Sequence, residues 1–178
     1  REHSSIPRYV RINGFESRES EDWLRADLRA VIGEGVSGII LPKAESADDI
    51  QTLDREMQKL ESKLEVNSGE IEIVPFIESA RGIHFTYDIL TSSSRIGSVI
   101  IGTAEDGDLV TDLGCRWSRE GVELLYARSK VLLEARAAGI EHPLDGVFLG
   151  LDDEEGLIRD AKNAKDLGYR GKTVIHPR

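Results

Sequence analysis

Short apolar runs alternate with longer amphipathic segments along this chain of 178 residues. The runs are rich in Ile and Val and do not alternate polar with apolar positions, which is typical of strands buried on both faces. Six of them predict strands, at residues 9–12, 38–41, 71–77, 98–101, 146–149 and 173–175. Because each gap between neighbouring runs is long enough for a crossover helix, the pattern predicts parallel βαβ units.

Amphipathic stripes between these runs predict four helices, at residues 24–32, 50–64, 122–133 and 157–164. Ser46 with Asp49 three positions later is a capping-box pattern at the start of the second helix. Asp152 with Glu155 opens the fourth helix in the same way. Tyr126 lies on the apolar stripe of the third helix and is therefore predicted to be a core residue.

A chain in which strands and helices alternate in this way fits a doubly wound open sheet or a (β/α)8 barrel that lacks two strands. No G-x-x-x-x-G-K-[ST] motif occurs, and residues 33–38, which fit G-x-G-x-x-G, precede a predicted strand, whereas the nucleotide-binding motif of an open sheet follows one. No composition shift marks a domain boundary, so one domain over residues 1–178 is predicted.

Composition narrows the possible partners. The net charge of −10 disfavours duplex nucleic acid and anionic membrane surfaces. No run approaches the roughly 18 apolar residues of a membrane span. Cys115 is the single cysteine, which excludes an intrachain disulfide and suits a reducing compartment, so a cytoplasmic location is expected.

Ionisable side chains follow the predicted strands, where the chemistry of a parallel barrel is located. They are Arg11, Lys43 and Glu45, Glu78 and Arg81, the acidic residues of segment 105–108, Asp152 and His176. Any one of them has a structural explanation, because loops are generally polar. Two interpretations of Lys43 and Glu45 stay open: they orient metal-bound water or substrate, or they form an internal ion pair. His176 fits a structural hydrogen-bonding role better than an acid–base role.

Two acidic positions on separate strands match the needs of Mg²⁺, which takes one or two carboxylates together with water and substrate oxygens. Glu78 with one acidic residue of segment 105–108 meets this description. The backbone amides of Gly82 and Gly102 lie near strand ends, where an anionic ligand can approach them closely.

Seven segments of the chain together carry a family resemblance. The segment Ile77-Glu78-Ser79-Ala80-Arg81-Gly82 is the most specific. The others are Val10-Arg11-Ile12-Asn13, Leu41-Pro42-Lys43-Ala44-Glu45, Asp108-Leu109-Val110-Thr111-Asp112-Leu113-Gly114, Tyr126-Ala127-Arg128-Ser129, Asp153-Glu154-Glu155-Gly156-Leu157 and Ile175-His176-Pro177. In this order they resemble the HpcH/HpaI aldolase family, specifically its citrate lyase beta-subunit-like proteins, which include malyl-CoA and citramalyl-CoA lyases.

The resemblance implies a TIM barrel, of which this chain carries about six βα units, and a Mg²⁺-dependent carbon–carbon lyase. It would cleave a malyl-, citramalyl- or citryl-thioester, on CoA or an acyl carrier, into an acyl thioester and a 2-oxo acid. The residue matching the family's metal-binding glutamate is Glu78, and Arg11 matches the arginine that stabilises the enolate. We expect Lys43 and Glu45 to assist catalysis and Arg81 and Gly82 to bind substrate.

The chain departs from the family pattern in the segment that carries the second metal ligand. The segment 102–114 is about two residues longer than usual, so the ligand is Asp108 or, as the alternative, Asp106. Asp108 is preferred because its spacing to the following helix matches, and its position suggests a helix N-cap.

The family's first two strands and its C-terminal segment have no counterpart in the sequence, which suggests part of a longer protein. The resemblance and the uncovered sheet edges also predict a homo-oligomer, a trimer or a multiple of one. Three alternatives to the lyase stay open: a thioesterase at the same site, a malate-synthase-like condensation, and a non-catalytic binder of metal or oxo acid.

Overall fold

Six parallel strands lie across one sheet in the order in which they occur in the sequence. In the computed structural model, which describes residues 6–33 and 35–177, they are β1 (Tyr9–Arg11), β2 (Gly38–Leu41), β3 (Glu72–Ile77), β4 (Ser98–Ile101), β5 (His142–Asp145) and β6 (Gly171–Lys172). A doubly wound sheet reverses its strand order at a switch point, so the observed order excludes that alternative. Sequential parallel strands are the order of a TIM barrel, although β1 and β6 are not paired within the described residues and the sheet is not closed.

Helices connect successive strands and cover the sheet. They are α1 (Arg18–Val31), α2 (Ala47–Leu64), α3 (Ala80–His84), α4 (Thr86–Leu90), α5 (Asp108–Leu113), α6 (Leu125–Ala137) and α7 (Glu154–Leu167), with a 3₁₀ turn (Val122–Leu124) before α6. The core contains side chains from both layers, among them Leu28, Ile39, Leu53, Ile73 and Ile101, all fully buried or nearly so. No helix in the described ranges has the length and apolar character needed to cross a membrane. Residues 1–5, 34 and 178 of the predicted domain lie outside the described residues.

Side-chain caps fix the starts of the helices that follow the strands. The predicted capping box at α2 is confirmed: the Asp49 amide donates to Ser46 Oγ at 3.3 Å, and the Ser46 amide donates to Asp49 Oδ2 at 2.9 Å. At α7 the cap is Asp153, one residue after the predicted Asp152, and it accepts from the Gly156 amide. These bonds satisfy amides that would otherwise lack partners in the first helical turn.

The last two strands begin before the apolar runs that predicted them. Segment 146–149 was predicted as a strand, but the strand is β5 (His142–Asp145), and β6 (Gly171–Lys172) precedes the predicted 173–175. The prediction was wrong because Asp145 is fully buried by ion pairs, which an apolar pattern does not reveal. Gly146 lies so close to the end of β4 that a Cβ there would be 2.2 Å from Thr103 Oγ1.

Helix α6 packs on the sheet with a different face from the one predicted. Tyr126, expected in the core, is 75% exposed, and Leu133 is 67% exposed. The buried face instead carries Ala127, Val131 and the ion-paired Arg128. The outer face therefore leaves large apolar side chains in solvent.

Two clusters of buried charges tie the helices to the sheet. Arg95, which precedes β4, makes a bidentate pair with Glu61 of α2 at 2.8 and 2.6 Å and a further bond to Asp54 at 2.7 Å. In the second cluster the fully buried Asp145 of β5 accepts from Arg128 at 2.6 Å and from Lys172 at 2.9 Å. Breaking such a pair leaves an uncompensated charge in the interior, so each cluster holds its elements in one arrangement.

Candidate metal and substrate site

The carboxyl ends of the first four strands bring four charged side chains together at one edge of the sheet. Arg11 ends β1, Lys43 follows β2, Glu78 follows β3, and Asp108 follows the turn after β4. Because parallel strands all end at the same edge, residues far apart in sequence become neighbours here. The contacts of Lys43 described below show this proximity for Lys43, Glu78 and Asp108.

Lys43 contacts both acidic residues. Its backbone amide donates to Glu78 Oε1 at 3.1 Å, and its ammonium lies 3.3 Å from Asp108 Oδ1. The residue has a φ of +47°, in the left-handed region that non-glycine residues rarely adopt. A functional site is a frequent reason for such a backbone, and here the turn directs the amide toward Glu78.

The charges at this edge perturb one another. Burial raises the pKa of the Glu78 carboxyl, and the Asp108 charge adds to this effect, while the Lys43 amide and the charges of Arg11 and Lys43 oppose it. Burial by itself lowers the pKa of Lys43, but Asp108, Glu16 and Glu78 outweigh it, so the net pKa is raised and the ammonium stays protonated. A buried carboxylate whose ionisation is disfavoured by a neighbouring acidic residue would gain from a cation placed between the two.

The donor set fits a hard divalent cation. Glu78 is only 8% exposed, whereas the Asp108 side chain is 55% exposed, so one carboxylate is fixed in the protein and the other faces solvent. Within the described ranges, no group of three or more His, Cys, Asp and Glu side chains is arranged to hold a metal ion. Mg²⁺ needs no such group, because it commonly takes one or two carboxylates and completes its shell with water and substrate oxygens.

The two candidate aspartates differ in backbone setting. Gly107 is the N-cap of α5, and Asp108 is its first helical residue, so the prediction that Asp108 is itself the N-cap was wrong by one position. Asp106 has a φ of +56° in the preceding turn. Asp108 contacts the Lys43 ammonium, and the Lys43 amide contacts Glu78. Which of the two aspartates binds the metal stays a prediction.

The two glycines expected to offer amides to an anion use those amides inside the protein. The Gly82 amide donates to Ser79 Oγ at 3.1 Å, and the Gly102 amide donates to Ile77 O at 2.8 Å. Both positions require close packing instead: a Cβ at Gly82 would lie 2.7 Å from Ala44 O, and one at Gly102 would lie 2.9 Å from Glu78 Cβ. The structure thus gives them a packing role, and substrate binding by Gly82 stays a prediction.

Glu45 and Arg81 lie at the rim of the same edge. Arg81 Nε is 4.0 Å from Glu45 Oε2, and the Arg81 side chain is 63% exposed, so this contact is long and solvated. The Arg81 guanidinium also lies 5.5 Å from the centre of the Phe85 ring. An exposed cation of this kind is available to an anionic substrate.

His176 and Asp152 belong to another part of the sheet edge. They line a cavity of about 460 Å³ together with Phe148, Leu157 and Val174, between the loop after β5, helix α7 and the segment after β6. Arg11, Lys43, Glu78 and Asp108 do not line this cavity. His176 therefore lines a cavity to which the four-residue group does not contribute.

Sequence reasoning did not single out Asp112. Its Oδ2 accepts from the Ala80 amide at 2.6 Å and so joins α5 to the segment that follows Glu78. The residue lies inside one of the segments that carry the family resemblance, but a pattern of apolar and charged positions gives no signal for a bond between two helices.

Comparisons with known proteins find one matching family model and several curated relatives. The model of the HpcH/HpaI aldolase/citrate lyase family matches residues 3–177. The citrate lyase subunit beta of Haemophilus influenzae is 34% identical over 176 residues, which are 99% of this chain and 58% of that protein. The mitochondrial citramalyl-CoA lyase of Rattus norvegicus is 30% identical, over 94% of this chain and 50% of its own length. A (3S)-malyl-CoA thioesterase of Cereibacter sphaeroides is 29% identical, over 96% and 53%.

Solved structures of similar fold include two bacterial proteins. RipC from Yersinia pestis superimposes with a TM-score of 0.81 and 28% identity, covering 97% of this chain and 73% of that chain. CitE from Mycobacterium tuberculosis in complex with magnesium and pyruvate gives a TM-score of 0.72 and 28% identity, covering 95% and 63%. The same protein has been solved with magnesium, acetoacetate and coenzyme A. The chain spans a little over half the length of the curated relatives it matches.

Proposed function

Since the chain belongs to the HpcH/HpaI aldolase/citrate lyase family, we propose that it carries the metal site of a Mg²⁺-dependent carbon–carbon lyase. The substrate is a malyl-, citramalyl- or citryl-thioester, and the products are an acyl thioester and a 2-oxo acid. The observation that carries the proposal is the pairing of Glu78 and Asp108 through Lys43, whose amide and ammonium each contact one carboxylate.

The proposed metal ligands are Glu78 and Asp108, with Asp106 as the alternative to the latter. Bound there, Mg²⁺ supplies positive charge that polarises the carbonyl of the 2-oxo acid. The M. tuberculosis relative in complex with magnesium and pyruvate supports a magnesium site that takes a 2-oxo acid. The structural basis in this chain is a buried carboxylate beside an exposed one, in a setting where their mutual repulsion favours a cation.

Charge development in the reaction gives the remaining residues their roles. Cleavage of the carbon–carbon bond beta to the thioester carbonyl transfers the electron pair to that carbonyl as an enolate, while the hydroxyl loses its proton and becomes the new oxo group. Return of one proton to the α carbon of the enolate then gives the acyl thioester. Arg11 lies close enough to Glu78 to influence its ionisation, and its guanidinium would stabilise the enolate oxygen that develops. We assign Lys43 to hold Glu78, and Arg81 with Glu45 to bind the polar part of the substrate at the rim.

Two other reactions use the same site. A relative named as a (3S)-malyl-CoA thioesterase makes hydrolysis of the thioester the second candidate function, with malate-synthase-like condensation as the third. The alternative that is not an enzyme is a protein that binds metal and oxo acid without catalysing a reaction.

A product analysis separates these functions. The protein is incubated with Mg²⁺ and malyl-, citramalyl- and citryl-thioesters of CoA or an acyl carrier, and 2-oxo acid and free thiol are quantified separately. Oxo acid without free thiol identifies a lyase, and thiol with intact hydroxy acid identifies a thioesterase. Binding of metal and oxo acid without either product would contradict the enzymatic proposal.

The metal assignment is tested with Glu78→Gln, which keeps the size of the side chain and removes its charge. We expect loss of Mg²⁺-dependent activity with an unchanged circular dichroism spectrum. Glu155→Gln, on the exposed surface of α7, is the matched control and should behave as the unmodified protein. Equal activity of Glu78→Gln at saturating Mg²⁺ would refute the assignment.

We also propose that the protein is a cytoplasmic homo-oligomer, a trimer or a multiple of one. The exposed apolar side chains of α6, including Tyr126 and Leu133, are a surface suited to association. Sedimentation at micromolar concentration tests the oligomer, and a mass equal to one subunit would contradict it. The single free cysteine, Cys115, supports a reducing compartment.

A further inference from the structure

Helix α5 carries two aspartates that contact the neighbouring strand ends. Asp108 and Asp112 are four positions apart and therefore lie on the same face of the helix. Asp108 contacts the Lys43 ammonium, and Asp112 Oδ2 accepts from the Ala80 amide at 2.6 Å. One face of α5 thus reaches both the loop after β2 and the segment after β3.

The Ala80 amide needs an acceptor from outside its own helix. Ala80 is the first residue of α3 and lies two positions after Glu78. The first amides of a helix have no partner within the helix. Ser79 Oγ satisfies the Gly82 amide, and the Asp112 carboxylate, from a different element, satisfies the Ala80 amide. A charged acceptor makes this bond stronger than a neutral one.

We propose that Asp112 is a positioning residue that fixes the separation of Glu78 and Asp108. This inference rests on the proposed metal site. Glu78 is attached to the backbone that Ala80 continues, and Asp108 is attached to the helix that holds Asp112. The Asp112–Ala80 bond therefore links the two backbone segments that carry the carboxylates. Without it, the two segments can move apart, and a cation gains less from binding both.

The bond can be removed from either side. Asp112→Ala removes the acceptor and its charge, whereas Asp112→Asn removes the charge and keeps an acceptor oxygen. Ala80→Pro removes the donor and leaves Asp112 intact. Proline is tolerated at the first position of a helix, and the extended backbone of Ser79, with φ −143° and ψ 160°, is compatible with a following proline.

The measurement is Mg²⁺ affinity by titration calorimetry on the protein without substrate, with the thermal unfolding midpoint recorded for each variant. We expect Asp112→Ala and Ala80→Pro each to weaken binding about tenfold, the range found when residues that support metal ligands are removed. Combining them should give no further loss, because both remove the same bond. Asp112→Asn should recover most of the affinity. Asp166→Ala, in an exposed position of α7, is the charge-matched control and should bind as the unmodified protein does.

Each outcome has one interpretation. If Asp112→Ala binds Mg²⁺ as tightly as the unmodified protein while Glu78→Gln does not bind it, the positioning role is wrong and the metal site stands. If Asp112→Asn binds Mg²⁺ as weakly as Asp112→Ala, the charge of Asp112 and not its hydrogen bond supports the site, and the positioning role is wrong. If the unmodified protein binds no Mg²⁺, or Glu78→Gln binds it equally well, both the metal site and the role of Asp112 are overturned.

Discussion

Substitution of Arg95 by methionine should destabilise the fold far more than loss of a surface ion pair. Arg95 is 6% exposed, and its bidentate partner Glu61 is fully buried. Arg95→Met leaves Glu61 with only the Ser68 hydroxyl and the Gly69 amide as hydrogen-bond donors, at 3.1 and 3.2 Å. Removing one partner of a buried pair costs about 3–5 kcal/mol. For a chain of this size that lowers the unfolding midpoint by roughly 10 °C.

The effect should depend on pH. Burial alone would raise the pKa of Glu61, but the hydrogen bonds and charge of Arg95 outweigh it, so the pKa in the folded protein is lowered. The ionised carboxylate therefore contributes stability above the unfolded pKa, about 4.3, and this contribution is lost as the pH falls through the folded value. In Arg95→Met, burial instead favours protonation of Glu61. The difference in unfolding free energy should be widest near pH 7 and narrow toward pH 4.

Urea denaturation followed by circular dichroism at both pH values measures this difference. The control is Lys59→Met, which removes an exposed ion pair to Glu56 of nearly the same length, 2.7 Å. Exposed pairs contribute at most about 1 kcal/mol, so the control should unfold close to the unmodified protein. Equal losses for the two variants, or a loss for Arg95→Met that does not change with pH, would refute the reasoning.

Three further predictions concern the site and the surface. Asp108→Asn should weaken Mg²⁺ binding in calorimetry far more than Asp106→Asn, and the reverse order would move the ligand to Asp106. Gly82→Ala should lower both Mg²⁺ affinity and the unfolding midpoint, at a cost of about 1–3 kcal/mol, because its Cβ would lie 2.7 Å from Ala44 O; an unchanged midpoint would contradict that packing. Tyr126→Asp should lower the sedimentation mass without changing the unfolding midpoint of the subunit, and an unchanged mass would place the interface elsewhere.

Local pattern was sufficient for the elements whose buried side chains are apolar. Strands β2 (Gly38–Leu41) and β4 (Ser98–Ile101) have the predicted bounds, and the capping box of Ser46 is present as predicted. The local pattern did not predict elements that contain buried charges. Asp145 ends β5 inside the protein, and Arg128 lies on the inner face of α6. Their burial depends on ion pairs with residues distant in sequence, Arg128 with Asp145 and Asp145 also with Lys172, so no local window contains the reason.

The candidate site also contains residues that the sequence predicted and a contact that it did not. Strand ends and the family resemblance predicted Arg11, Lys43, Glu78 and Asp108, and the structure brings these four together. The bond between Asp112 and Ala80 was not predictable, because it joins residues 32 positions apart in two helices whose relative placement only the folded chain defines.

The sequential strand order has a consequence for how the chain folds. Every strand pairs only with the one before it and the one after it, and the longest separation between directly paired residues in the described strands is that of Ser98 with His142, 44 positions apart. Each pairing therefore needs a loop closure of this length or shorter, and no strand pairing must wait for a distant part of the chain. Since synthesis proceeds from the N-terminus, each βα unit can add to a sheet edge already formed while the ribosome is still producing the next one.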